Sequence, residues 1–210
     1  MYIPKEYEMK DEETLVDFIR EHSFGILFSQ ANGVPHGTHL PFLIERDKEG
    51  QLYLVSHMSR ANPQWQAIGG TVLTVFPGPH AYVTPSWYGA AGFVPTWDYL
   101  SVHAYGEFAR VDDADGLRSI MERTIRFYES GMPEPWDGRV PDHVYDRLIG
   151  GVVGFRIKIA SLEGQWKLHQ DHTEERRRNV VRHLRQSGRE DARSIADAIE
   201  RAMSASRPAE

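Results

Sequence analysis

The sequence predicts a mostly β protein with flanking helices, in which six or seven antiparallel strands build a closed or partly closed barrel. Three observations favour this fold class. Short apolar strand patterns, separated by turns rich in glycine and proline, run to about residue 160; one crossover helix interrupts them; and helical periodicity follows residue 170. We therefore expect a barrel domain over residues 1–170 and a C-terminal helical extension over residues 171–210.

Composition limits the classes of function that are open. The 210 residues carry a formal net charge of −6, which gives no global basic field for nucleic acid. Cysteine is absent, which excludes disulfides and thiolate metal sites and makes a reducing cytoplasm the expected compartment. The sequence has no apolar signal core and no run of about 18 apolar residues, so no membrane contact is expected.

The first part of the chain predicts one helix and an antiparallel meander. The expected elements are a helix capped by Asp11 and strands over residues 23–29, 34–44 and 51–56. Asn32-Gly33 is the strongest short hairpin signal and should join the first two strands. Pro41 cannot donate to a ladder, so we expect an edge or a bulge where it interrupts the second strand.

The middle of the chain mixes helices and strands. The expected elements are a short helix from Asn62-Pro63 to Ile68, strands over 71–76, 81–84, 99–110 and 152–159, a helix capped by Asp112 or Asp113, and a brief helix over 142–149. Pro77-Gly78-Pro79 should end the strand that begins at residue 71.

An aromatic loop lies between the strands at residues 81–84 and 99–110. It holds Trp87, Tyr88, Phe93 and Trp97 among prolines and glycines. Rings fixed in this way form a flat apolar wall, which suits a planar ligand or a subunit interface. The alternative is that these rings only pack in the hydrophobic core and bind nothing.

The C-terminal segment differs in composition. Thr173 should cap a helix, Ser187-Gly188 should break it, and a second helix should follow. Between Thr173 and Met203 there are eight arginines and six acids, a local charge of +2. Two helices joined by a short turn are compatible with a DNA-binding helix-turn-helix. A helical hairpin packed on the barrel, with its arginines in water, is the more common arrangement.

The histidines do not predict a metal site. His36 and His39 are three residues apart, as are His169 and His172, and residues three apart on a strand point to opposite faces. No aspartate or glutamate is expected to cluster with them. A single histidine that binds haem iron is not excluded by spacing. Nucleotide-binding and hydrolase motifs are absent, so no catalytic residue is assigned.

Six short blocks of the sequence resemble the PaiB family. They are MYIP from Met1, HLPF from His39, HMSRANPQW from His57, FPGPHAY from Phe76, VPTWDY from Val94 and GQWKL from Gly164. The resemblance implies an FMN-binding split β-barrel, related in fold to pyridoxamine-phosphate oxidases, and a homodimer. The sequence departs from the family pattern after Lys167. The family usually has a segment there that is rich in asparagine or contains serine, whereas this chain has HQDH from His169.

The residues themselves indicate where such a flavin would bind. Arg60, between a strand end and a helix start, and Lys167, near the end of the barrel, would hold the phosphate. Thr38, His39 and Leu40 lie next to Pro41, which frees edge groups that would meet the pyrimidine edge. Trp97 and Tyr99 would cover the ring face. The predicted set is completed by Ser56, His57 and Asn62. For Arg60 and Lys167 the alternative is a solvated surface charge.

Two classes of function stay open. The family resemblance implies a negative transcriptional regulator, not an enzyme, that represses sporulation and degradative-enzyme genes, with DNA contacted through the C-terminal arginines. The related fold implies an FMN-dependent oxidoreductase, because fold alone does not decide function. A haem-binding split barrel is a third alternative.

Overall fold

The computed structural model describes residues 1–138 and 140–205. Its strands are β1 (Glu8–Met9), β2 (Phe24–Ala31), β3 (Val34–Pro41), β4 (Leu43–Arg46), β5 (Leu52–Ser59), β6 (Thr71–Val83), β7 (Thr96–Val111) and β8 (Val152–Lys167). Its helices are α1 (Glu12–Glu21), α2 (Gln64–Ala67), α3 (Ala114–Glu129), α4 (Asp142–Gly150), α5 (Glu174–Gln186) and α6 (Glu190–Ala205). Short 3₁₀ turns cover Lys5–Tyr7 and Pro85–Tyr88.

The chain forms two compact units, each built from several segments. The barrel unit comprises Val16–Phe76 and His103–Leu162. The terminal unit comprises Met1–Leu15, Pro77–Val102 and the chain from Glu163 onward. Strands β6, β7 and β8 each contribute residues to both units. The division at residue 170 expected from the sequence stays a prediction.

One sheet contains the strands in the order β3-β2-β6-β7-β8-β5-β4, and β1 pairs with the end of β8. The ladders β2–β3, β2–β6, β4–β5 and β5–β8 are antiparallel. Strands β3 and β4 stand at opposite ends of this order although only Phe42 separates them in the chain. The sheet in the barrel unit must therefore curl back on itself. In the described residues no ladder joins β3 to β4, so the sheet stays open, which confirms a mostly antiparallel, partly closed barrel.

Local sequence signals explain several element boundaries. Asn32 and Gly33 have φ values of 51° and 78°, which is the left-handed pair that a two-residue hairpin turn requires. The Asp11 carboxylate accepts from the Thr14 amide at 2.9 Å and begins α1. The Asp113 carboxylate accepts from the Gly116 amide at 2.6 Å and caps α3. Both caps match the sequence predictions.

The core of the barrel unit is aliphatic and aromatic. Along β8 the buried residues Phe155, Ile157 and Ile159 alternate with exposed Arg156 and Lys158, as the sequence pattern predicted. The ring of Phe155 lies 6.3 Å from that of Phe42 and 4.9 Å from that of Phe108. Close approach of β7 and β8 also requires a glycine, since a Cβ at Gly106 would collide with the Lys158 carbonyl oxygen.

Two strands extend further than expected. Pro77 and Pro79 do not end β6, because its ladder with β2 spans only Leu73–Val75 and the prolines lie beyond it. On that side a missing N–H therefore costs no ladder hydrogen bond. Strand β8 continues past Ile159 to Lys167, where its end pairs with β1. Residues 160–167 do not alternate between apolar and polar side chains, so the sequence did not predict a strand there.

The C-terminal helices α5 and α6 pack on each other through buried aliphatic side chains. These include Val180, Leu184, Ile195 and Ile199. The Thr173 hydroxyl accepts from the Arg176 amide at 3.5 Å, and Gly188 has a φ of 74° in the turn between the helices. In the part of the chain that the structure describes, no helix has both the length and the apolar character needed to cross a membrane.

Candidate functional site

The predicted cofactor residues divide between the two units. The barrel unit holds Thr38, His39, Leu40, Pro41, Ser56, His57, Arg60 and Asn62. The terminal unit holds Trp97, Tyr99 and Lys167. Their assignment to FMN stays a prediction.

Thr38 and Asn62 meet in a polar cluster of the barrel unit. The Thr38 hydroxyl donates to the Gln64 side-chain oxygen and accepts from the Asn62 amide group at 3.0 Å. The Asn62 oxygen also accepts from the Gln64 backbone N–H at 2.9 Å. Pro63, and not Asn62 as the sequence predicted, occupies the N-cap position of α2. Buried Gln64 in turn donates to the Leu27 carbonyl at 3.1 Å. The cluster therefore fixes the segment before α2 against β2 and β3.

Ser56 and Pro41 are also in contact. Ser56 is fully buried, and its hydroxyl donates to the Pro41 carbonyl at 2.6 Å. His57 follows on β5, and burial lowers its pKa, which favours the neutral imidazole. Its Nδ1 atom is buried and has no hydrogen-bond partner in the described residues. An unsatisfied buried nitrogen of this kind is costly unless a ligand or a water meets it.

A groove of about 420 Å³ lies beside these residues, within the barrel unit. Its walls come from β3, β5, α4 and the start of β8, and its lining residues are Leu40, Pro41, His57, Met58, Ser59, Arg147, Leu148, Gly151 and Val152. Three of them were predicted from the sequence. The contribution of α4 was not, because a brief amphipathic helix carries no signal for the groove that it borders.

The outer edge of β3 adds main-chain groups to this region. Strand β3 stands at the end of the strand order, so within the described residues only β2 pairs with it. Its exposed residue His39 stacks at 6.2 Å on the ring of Phe24, which is 61% exposed. The position of β3 at the end of the sheet therefore agrees with the prediction that the strand before Pro41 has free edge groups.

The Arg60 side chain is held by two hydrogen bonds that its sequence position did not predict. Its Nε atom donates to the Gly150 carbonyl and a terminal guanidinium nitrogen donates to the Val152 carbonyl, both at 2.8 Å. The side chain thus bridges the end of α4 and the start of β8 while staying exposed. Its unused donors lie on the terminal nitrogens, so a contact with an anion stays compatible with this geometry.

The rings of the aromatic loop have different environments in the terminal unit. Tyr88 is 3% exposed and belongs to the core, which fits the alternative reading for that ring. Trp87 stacks on His183 of α5 at 5.2 Å. Trp97 is 48% exposed and packs edge-on against Tyr82 at 5.8 Å. Tyr99 is half-buried on β7. Of these rings, Trp97 presents the most open face.

Lys167 ends β8 in the terminal unit. Its amine donates to the Thr96 hydroxyl at 2.5 Å and lies 5.9 Å from the centre of the Tyr7 ring. No ion pair engages this lysine in the described residues. Two donors of the ammonium group therefore stay available, which agrees with a role in holding an anion.

A buried chain of hydrogen bonds lies next to Lys167. The Asp98 carboxylate lies 2.5 Å from His169 Nδ1, and His169 Nε2 lies 2.8 Å from the Tyr88 hydroxyl. A carboxylate accepts, so Nδ1 donates to Asp98, and a neutral ring then accepts at Nε2 from the Tyr88 hydroxyl. Burial raises the pKa of Asp98, and the hydrogen bond with His169 opposes that rise. Burial also raises the pKa of Tyr88, so its hydroxyl stays protonated.

This chain corrects the sequence prediction for His169 and His172. The two residues lie in a turn after β8 rather than on a strand, and their ring centres are 4.7 Å apart. Asp98 joins them from a distant part of the sequence, although no acidic partner was expected. Burial and the proximity of His169 lower the pKa of His172. The departure from the family pattern after Lys167 was the one sequence signal that pointed here.

The arginines of α5 are largely engaged within the terminal unit. Arg177 is 8% exposed and donates to the Ile199 carbonyl at 3.4 Å. Arg178 pairs with Glu174 at 2.5 Å. Arg185 pairs with both Asp197 and Glu200 of α6. DNA contact through this segment stays a prediction, and it would depend on the remaining arginines.

Comparison with known proteins identifies the family. A family model described as "Putative FMN-binding domain" matches residues 1–161. The protease synthase and sporulation protein PAI 2 of Bacillus subtilis (strain 168) is 34% identical over 204 residues, which cover 95% of this chain and 97% of that protein. Both matches extend across the barrel unit.

Solved structures show the same fold at low identity. The flavocytochrome Anf3 from Azotobacter vinelandii has a TM-score of 0.59 and 16% identity, over 76% of this chain and 69% of that chain. The FAD and haem binding protein from Mycobacterium smegmatis also has a TM-score of 0.59, with 15% identity over 77% of this chain and 73% of that chain. These likenesses confirm the predicted split-barrel fold.

The family match also supports the predicted cofactor, because the matched domain is described as FMN-binding. The match covers the polar cluster at Thr38, the groove beside His57 and most of β8. Together with the PAI 2 similarity over nearly the whole of both chains, it places this protein in the PaiB family of FMN-binding proteins.

Proposed function

We propose that this protein binds FMN in the groove of the barrel unit and acts as a flavin-binding regulator of gene expression. The observation that carries the proposal is the groove itself, which combines an apolar lining with an unpaired buried nitrogen of His57. Small-molecule sites typically join an apolar lining to a few placed polar groups. FMN would supply an aromatic redox-active ring and a phosphate.

The groove residues fit the parts of FMN. Leu40, Met58 and Val152 offer apolar surface to an isoalloxazine ring. His57 Nδ1 would meet a polar atom of the ring edge, and the free edge of β3 would add main-chain groups. Arg147 lines the groove without an ion pair in the described residues, which makes it a candidate for the phosphate. Arg60 lies one residue after Ser59, which also lines the groove.

The regulatory part of the proposal rests on PAI 2. That relative is named for protease synthesis and sporulation, and the similarity covers nearly the full length of both proteins. We infer a comparable role in control of degradative-enzyme and sporulation genes for this chain. Arg182 and Arg189 are the candidates for the DNA contact, because both are exposed near the end of α5 and in the turn to α6, and neither forms an ion pair in the described part of that segment.

A second candidate is an FMN-dependent oxidoreductase. The observation in its favour is His57, whose unpaired Nδ1 beside the groove would be able to exchange a proton with a bound flavin. A haem-binding barrel stays a third alternative from the sequence. A homodimer also stays a prediction, in which exposed Tyr82 and Trp97, 46% and 48% accessible, would be covered.

A paired assay separates the regulator from the enzyme. Gel shifts with the protein's own promoter region, at low and moderate salt, should show retarded DNA that weakens steeply as salt rises. The Arg182→Ala/Arg189→Ala variant should lose most of the shift. As a control, Lys5→Ala/Lys48→Ala removes two exposed charges elsewhere and should retain it. The same preparation with FMN should give no steady NADH oxidation.

Steady NADH turnover without a DNA shift at any salt would contradict the regulator and favour the oxidoreductase. An equal loss in the arginine and lysine variants would show that net charge, and not the C-terminal segment, governs DNA binding.

A further inference from the structure

A second cavity lies wholly within the terminal unit and is separate from the proposed flavin groove in its lining residues. Its volume is about 320 Å³. It is bordered by the 3₁₀ turn Pro85–Tyr88 of the aromatic loop, the start of β7, the end of β8 and the first turn of α5. The buried hydrogen-bond chain from Asp98 to Tyr88 forms part of its wall.

Neither of the two cations that line this cavity forms an ion pair in the described residues, although Lys167 lies near enough to Asp98 for its charge to favour the carboxylate form. Lys167 donates to the Thr96 hydroxyl but forms no ion pair in the described residues. The Arg176 guanidinium lies 4.4 Å from the centre of the Phe93 ring, and no ion pair of Arg176 occurs there either. Arg176 also lies in the first turn of α5, where free amides favour an anion. These groups indicate a site for a carboxylate.

One carboxylate of the cavity, in contrast, lacks a hydrogen-bond donor. Asp98 is fully buried, and its Oδ1 atom has no hydrogen-bond partner in the described residues, because only Oδ2 meets His169. A buried carboxylate oxygen without a donor is costly, and an ammonium group would satisfy it. Asp171, 49% exposed, adds a second negative charge at the cavity. A phosphate or another purely anionic ligand would be repelled by these two acids.

The remaining wall is aromatic. The Tyr88 and Phe93 rings pack edge to face with centres 5.3 Å apart. Both line the cavity, so the ligand would place an apolar side chain against them. The cavity thus offers cations, an unpaired acid and an apolar wall in a volume suited to a small molecule.

We propose that this cavity binds a free α-amino acid with an apolar or aromatic side chain. Its carboxylate would contact Lys167 and Arg176, its ammonium group would donate to Asp98, and its side chain would pack on Tyr88 and Phe93. The proposal does not rest on FMN binding in the groove, because no groove residue takes part, and it gives Lys167 a carboxylate ligand in place of the FMN phosphate that the sequence predicted.

Calorimetric titration of the full chain with L-phenylalanine and L-leucine tests the proposal. Saturable binding of at least one of them at millimolar concentration or below is expected. Two analogues are matched controls: 3-phenylpropionate lacks the ammonium group, and phenethylamine lacks the carboxylate. Each should bind about ten- to a hundredfold more weakly, since a charge-assisted contact is lost.

Variants locate the binding. Arg176→Gln should weaken binding about tenfold or more. Arg182→Gln, on the same helix but outside the cavity, should leave it unchanged. Asp98→Asn should reduce the preference for the amino acid over 3-phenylpropionate. If that variant fails to fold, the analogue series and Arg176→Gln still decide the result.

Absence of heat with both amino acids would overturn the proposal. Equal binding of 3-phenylpropionate would also overturn it, because the ammonium contact would then be absent. Competition between FMN and the amino acid would assign the cavity to the flavin site and reject a separate ligand. Failure of FMN to bind would instead affect only the proposed function.

Discussion

Replacing Phe155 with alanine is expected to lower the free energy of unfolding by about 3–5 kcal/mol. Phe155 is fully buried on β8, where its ring meets those of Phe42 and Phe108. Truncation would remove this apolar contact and leave a cavity that the strands cannot fill, since β5 pairs with β8 on one side. Urea unfolding followed by tryptophan fluorescence would measure the loss.

Phe24→Ala is the matched control, because Phe24 is 61% exposed on β2. It should change the unfolding free energy by about 0.5 kcal/mol or less. Phe155→Leu should fall between the two variants. A similar small loss for Phe24→Ala and Phe155→Ala would show that β8 does not form the core described above.

Replacing Asp98 with alanine is expected to cost about 3 kcal/mol of unfolding free energy. The change would remove the acceptor of a fully buried hydrogen bond and leave His169 Nδ1 without a partner. His169 would then lose the contact that fixes its orientation toward Tyr88. Urea unfolding at neutral pH would report the loss, and the resonance of the His169 ring would report the broken chain.

Two comparisons make the Asp98 prediction specific. Asp98→Asn keeps a carbonyl oxygen that can accept from His169, so it should cost clearly less than Asp98→Ala. Asp112→Ala removes an exposed carboxylate that contacts Arg110 at 3.2 Å, and it should have little effect. If Asp98→Ala were as stable as Asp112→Ala, the buried chain would contribute nothing to the fold.

Local signals predicted most of the fold. The Asn32-Gly33 turn, the Asp11 and Asp113 caps and the alternation along β8 each depend on a few neighbouring residues. Such features are encoded in short windows of sequence, where propensity and burial period agree. The sequence did not predict that β6 continues through Pro77. A proline in a strand costs a hydrogen bond only where a neighbouring strand pairs with it, and this pairing is set by the tertiary structure.

The candidate site was less predictable. Leu40, Pro41 and His57 were predicted from the sequence as cofactor residues, and the structure brings them to one groove. Arg60 was expected to be a free cation, yet two of its donors meet carbonyls more than 80 residues away in sequence. The pairing of Asp98 with His169 spans 71 residues and leaves no periodic trace. Polar pairs between residues so far apart in the sequence leave no local pattern and become visible only in the folded structure.

Titration of FMN into the purified protein, followed by flavin fluorescence, tests whether the groove of the barrel unit is the flavin site. We expect saturable binding of one FMN per chain, and Leu148→Glu should weaken it by about tenfold or more by placing a carboxylate in the groove. Met132→Glu is the control, since Met132 is 52% exposed in the same unit and does not line the groove. Arg60→Ala and Lys167→Ala, measured alongside, test the phosphate assignments. Absence of FMN binding, or equal affinity in Leu148→Glu and the unmodified protein, would contradict a flavin site in this groove.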